Sequence, residues 1–186
     1  MKIIFIVFSI IISFLYSCGG SDLTKVNDLS KELKDRIKMK EDSLANTPNQ
    51  DPANYTIDRN ELVTLLEKYS KQFPEDYYAP ECLDKIHMVY SGMGLYKKAS
   101  VYADIILKKY PKYKKRPMIL ESQASNYDIF ILPRDTSKVR YYNELLLKEN
   151  PKMSKESKEG IEMKLKHLDL NFEEYLDFIV KKADGK

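Results

Sequence analysis

The side chains able to do chemistry in this 186-residue chain are two cysteines, two histidines and a scatter of carboxylates, and their spacing argues against catalysis. His87 and His167 are distant in sequence, neither stands at a metal-ligand spacing, and Cys82 has no CxxC partner, so no zinc site is expected. With only 6 Gly there is no glycine-rich phosphate loop, and neither a GxSxG elbow nor an SxxK occurs, which removes the supports of phosphoryl and nucleophilic chemistry. Glu173 and Glu174 are adjacent at a predicted helix start, where carboxylates face the positive end of the helix dipole. That role accounts for them better than general acid–base work. Cys82 falls in an apolar helical face and reads as a small buried hydrophobe. The expectation is a non-catalytic protein with neither metal nor cofactor.

Cys18 is the exception. It follows Lys2 and an apolar run over residues 3–16 broken only by Ser9 and Ser13. That run is shorter than the about 20 residues that cross a bilayer core, so residues 1–17 read as a secretory signal peptide. Leu15-Tyr16-Ser17-Cys18 resembles the bacterial lipobox. The resemblance implies cleavage before Cys18, a diacylglycerol on its thiol and a further acyl chain on the new amino terminus. Several acyl chains, at about 0.8 kcal/mol per buried CH₂, anchor stably where a single one binds marginally. Gly19 in place of an Asp after that cysteine implies the outer membrane, with the protein facing the periplasm or the cell surface. The other reading is an ordinary secreted protein in which Cys18 is incidental.

Beyond the leader the composition is that of a solvated helical protein. Charged residues make up 32%, with 31 basic against 28 acidic, a balance unlike that of a nucleic-acid binder. Residues 18–57 read as a polar tether. Leu23, Val26, Leu29, Leu33, Ile37 and Leu44 step by three, four and seven, predicting one amphipathic helix that packs on its own domain or pairs with another chain. Residues 46–54, with Pro48 and Pro52, then form a linker.

From residue 58 to 186 every segment has helical spacing and none alternates like a strand. Leu62, Leu66, Tyr69 and Phe73 run into Pro74; Leu83, Ile86, Tyr90 and Met93 into Gly94; Ala99, Ala103, Ile106 and Tyr110 into Pro111. Leu120, Ala124, Tyr127 and Ile131 precede Pro133, and Val139, Tyr142 and Leu146 precede Pro151. Each apolar stripe must be covered by a neighbour, because an isolated helix of such length is marginal in water. Pro74, Pro111 and Pro151 recur at 37 and 40 residues, close to the tetratricopeptide period of 34 plus short insertions.

Leu83, Tyr90, Gly94, Tyr96, Ala99 and Pro111 fall where a tetratricopeptide repeat has its large apolar residue, aromatic, turn glycine, aromatic, small residue and closing proline. His87 and Ala103 depart from that pattern. The chain resembles the tetratricopeptide lipoproteins of the Gram-negative envelope, such as the BamD and YbgF families. It is more closely similar to small Bacteroidetes repeat lipoproteins, through Ala79-Pro80-Glu81, Asp135-Thr136-Ser137-Lys138 and the Leu168–Glu174 stretch before a capping helix. The resemblance implies an all-α solenoid of about seven helices on a lipidated tether. It further implies a non-catalytic scaffold or adaptor that holds another envelope protein or peptide at the outer membrane.

Carrying the family's groove positions over marks Glu81, Asp84 and Met88 in the middle unit and Glu121, Ala124 and Asp128 in the next. Four of the six are acidic, which suits a basic or polar peptide; a plain solvated face is the alternative. The runner-up function is a carrier or sensor of a small ligand or cell-wall fragment, which requires Tyr90, Tyr96, Tyr102, Tyr127 and Tyr142 to converge on a cavity. As stripe positions they are also ordinary core. Lys108, Lys109, Lys112, Lys114, Lys115 and Arg116 form the densest basic run, either a solvated helix end or a contact for an anionic partner.

Overall fold

The computed structural model describes residues 20–47 and 51–185; the leader, Cys18 and Pro48 lie outside the described residues. Among these the chain is all α, with eight helices and no strand. In chain order they are α1 (Gly20–Ala45), α2 (Pro52–Gln72), α3 (Ala79–Gly92), α4 (Tyr96–Lys109), α5 (Arg116–Ser125), α6 (Thr136–Glu149), α7 (Lys155–Lys166) and α8 (Phe172–Ala183). They divide into two compact units, the first ending at Phe73 and the second starting at Pro74.

In the first unit α1 packs against α2. The spacing of Leu33 and Ile37 puts both on one face of α1, and both are fully buried, as are Leu66 and Tyr69 of α2. Ser30 Oγ and the Tyr69 hydroxyl share a hydrogen bond of 3.0 Å. Lys40 Nζ donates to both Asp58 and Glu61, whose carboxylates hold the ammonium above its ordinary pKa. Leu33 and Ile37 of the apolar stripe thus pack within the chain, while Val26 and Leu29 stay exposed. The expected linker is shorter than residues 46–54, because Asp51 Oδ1 accepts from Ala53 N at 2.9 Å and α2 begins at Pro52. The tether boundary at residue 57 therefore falls inside a helix, and the break between units comes at Pro74.

The second unit is built from consecutive helix pairs, α3 with α4 and α5 with α6, joined by contacts of α4 to α5 and of α6 to α7. Gly94 turns α3 into α4 with φ +72°, a conformation that costs a residue bearing Cβ, while Leu95 N–H donates to Tyr90 O at 2.8 Å. Ala99 is fully buried in the α3–α4 pair. The next pair encloses a core of Leu120, Ala124, Tyr127, Ile131, Val139, Tyr142 and Leu146, closed by Leu168. The apolar run through Ile131 does not stay α-helical. Asn126–Phe130 widens into a π turn in which Ile131 N–H reaches Asn126 O at 2.8 Å, and Asp135 N–H donates to Tyr127 O. Asp135 then caps α6 through Lys138 N, Ser154 caps α7 through Ser157 N, and Asn171 with Glu174 forms a reciprocal capping box on α8.

Candidate binding cleft

The residues that resemble a repeat signature lie on or beside the α3–α4 pair. Leu83 is buried, Tyr90 stacks on Tyr102 at 5.7 Å, Tyr96 stacks on Phe130 at 4.3 Å, and Pro111 follows the capping residue Tyr110 of α4. His87, the departure from a small residue, is buried and reaches beyond the pair. Nδ1 donates to Ala99 O at 3.1 Å, because a carbonyl can only accept, and Nε2 shares a hydrogen bond of 2.9 Å with Ser122 Oγ. Its ring ties α3 to α4 and α5. Cys82 is fully buried, as expected of a small hydrophobe. Glu174 belongs to the α8 capping box.

The six groove positions are not brought together. Asp84 is buried and accepts from Tyr113 Oη and Lys115 Nζ, each at 2.9 Å. Asp128 is buried between Arg134 Nε at 2.8 Å and Lys164 Nζ at 2.6 Å. Both carboxylates are neutralised inside the fold, so the acidic surface expected of four groove residues shrinks to Glu81 and Glu121. Glu81 is half-buried in the first turn of α3, and Met88 is exposed on the same helix. Glu121 and Ala124 line the cleft between α5, α6 and α7.

That cleft has a volume of about 620 Å³ and lies between α5, α6, α7 and the start of α8. One wall is Pro117, Met118, Glu121, Ala124 and Ser125; the floor is Asn143, Leu146 and Asn150; the opposite wall is Ser154, Ser157, Gly160, Ile161 and Lys164, with Met153 and Tyr175 at its ends. Gly160 lies in that wall facing open space, since a Cβ placed there meets no atom within 4 Å. Glu121 is its exposed acid and Met118 its exposed apolar residue, while Lys164 is held by Asp128. Burial, then the field of Asp128, raises the pKa of the Tyr175 phenol. The cleft thus offers a mixed apolar and amide surface with one exposed acid, Glu121. The cleft residues of α7 carry no signal in the sequence, because the run from Met153 to Lys164 follows none of the repeat pattern; a glycine inside a helical stretch is its one hint.

The five tyrosines do not converge on a cavity. Tyr90 pairs with Tyr102, Tyr127 with Tyr142 at 5.9 Å, and Tyr96 with Phe130, and none lines the cleft. Burial and a 2.7 Å hydrogen bond to Asp104 push the Tyr142 phenol far above its ordinary pKa. Burial and the charge of Asp84 do the same to Tyr113. Among the described residues there is no cluster of His, Cys, Asp or Glu able to hold a metal, and no helix long and apolar enough to cross a membrane. No protein family, no curated protein and no solved structure matches the chain.

Proposed function

We propose that this chain is a non-catalytic scaffold of the bacterial envelope, anchored in the outer membrane by acyl chains on Cys18, whose second unit is a tetratricopeptide-like stack that holds a segment of a partner protein. The observation that carries the reading is the cleft of about 620 Å³ between α5, α6 and α7, whose mixture of apolar, amide and hydroxyl side chains suits a few residues of a partner chain. Support for the repeat comes from the pairing of α3 with α4 and α5 with α6, the left-handed Gly94 and the buried Ala99. With Asp84 and Asp128 neutralised internally, charge selection falls to Glu121, which suits a single basic residue among apolar ones.

Placing a photo-crosslinking amino acid at Met118 or Ser157 in living cells tests this, with Lys31 as a site remote from the cleft. One envelope protein captured from both cleft sites, not from Lys31, and lost when Gly160→Trp fills the cleft is the expected result. Capture unaffected by Gly160→Trp overturns the cleft as the binding site. Release of the parent chain from membranes by a high-salt wash, which strips lysine contacts but not acyl chains, overturns the anchor.

A further inference from the structure

Two turns of the second unit come together at one side chain. The Arg116 guanidinium, at the start of α5, donates to Leu107 O near the end of α4 at 2.7 Å and, at 3.0 Å, to Glu149 Oε1 at the end of α6. The α4–α5 turn and the α6–α7 turn are therefore neighbours on one edge of the unit. That edge carries Lys108, Lys109, Lys112 and Lys114 from the first turn and Lys148 and Lys152 from the second, all exposed. None of the six has a hydrogen bond or ion pair among the described residues. Most acids near them are occupied: Glu149 is held by Arg116, Asp84 by Lys115, Glu144 by Arg140 and Glu159 by Lys155, while Glu156 stays exposed. Three acids border the edge: Glu75, brought near by the hydrogen bond of Tyr110 Oη to Pro74 O at 2.9 Å, Glu81, whose charge reaches Tyr113, and Asp104, one turn before Lys108 and hydrogen-bonded to Tyr142.

We propose that this lysine edge docks on a surface of anionic lipid headgroups. The chemistry of the patch favours a diffuse negative surface over a shaped protein. All six free cations are lysines, flexible point charges without the fixed fork of arginine, and the arginine present is spent internally. Lysine is depleted at the cores of protein interfaces, whereas each basic residue beside an anionic membrane contributes about 1 kcal/mol. Such docking orients the second unit on a membrane whether or not Cys18 is acylated.

The test uses the chain from residue 18 carrying Cys18→Ser, so that no acyl chain contributes, and measures binding to vesicles of phosphatidylcholine with and without phosphatidylglycerol. Binding to the anionic vesicles only, weakening as salt rises, is expected. Lys108→Gln/Lys112→Gln/Lys114→Gln/Lys152→Gln should weaken it about 5-fold per lysine. A control with equal charge loss, Lys25→Gln/Lys31→Gln/Lys38→Gln/Lys68→Gln, should stay near the parent, and circular dichroism verifies that both remain helical. Equal losses in the two variants, or equal binding to neutral vesicles, overturn the proposal. Binding of polyglutamate without binding of anionic vesicles overturns it too and reassigns the edge to an acidic protein.

Discussion

Asp128 accepts from two cations, Arg134 and Lys164, while almost wholly buried, so its charge is tolerated only because both partners are present. Asp128→Asn leaves two cations facing a neutral amide and should cost about 3–5 kcal/mol, seen as a lowered denaturation midpoint. The buried phenols make an alkaline prediction. Tyr113 and Tyr142 have folded pKa values raised above the unfolded value of about 10, so the stability they contribute is complete below that pH and is lost as the pH climbs toward the folded values. Thermal unfolding followed across alkaline pH should show Tm falling above pH of about 10, and less steeply in Tyr113→Phe/Tyr142→Phe. Glu149 has the opposite sign: its hydrogen bond with Arg116 lowers its pKa, so its contribution fades as pH drops below the ordinary carboxylate range. The types of Asp84 and Asp128 were plain in the sequence and their fate was not. The partners Lys115 and Lys164 lie 31 and 36 residues further on, and only the pairing of helices brings them into reach.

At the scale of elements, helical spacing and its stops foretold most of the second unit. Leu83, Gly94, Ala99 and Pro111 do in α3 and α4 what their types require, since a left-handed turn, a close approach and a helix stop are each set by local sterics. The π turn at Asn126–Phe130 was not legible, because a 3.6-residue reading has no place for the extra residue that lets Ile131 N–H reach Asn126 O. The start of α2 was missed for a related reason: Pro52 read as a linker residue, whereas Asp51 caps a helix there. Gly160 stands inside α7 with open space where a Cβ would go. Gly160→Ala should therefore stabilise the chain by about 0.5–1 kcal/mol, measured as a raised urea midpoint at unchanged slope. Asn171→Ala removes one half of the α8 capping box and should cost about 1 kcal/mol by the same assay.

For the molecule as a whole, the division at Pro74 assigns each unit a core of its own, with the Leu120–Leu146 cluster wholly inside the second. A fragment covering residues 74–186 should keep its helical circular dichroism and unfold in one cooperative transition; a gradual loss of signal would show that the second unit does not fold alone. The cleft is a property of this scale, and so was least legible. Its walls come from α5, α6, α7 and α8, and no single helix announces it. Of the groove positions only those on α5, Glu121 and Ala124, lie in its wall, and the opposite wall comes from the stacking of α7 beside α6.

Cys82 gives the molecule an internal clock. In a Cys18→Ser chain it is the sole thiol, and with no surface in contact with water it can meet an aqueous alkylating reagent only while α3 is transiently open. The ratio of its labelling rate to that of a free thiol reads out the opening equilibrium of the α3–α4 pair directly, in dilute buffer or in whole cells, without denaturant and without an attached probe.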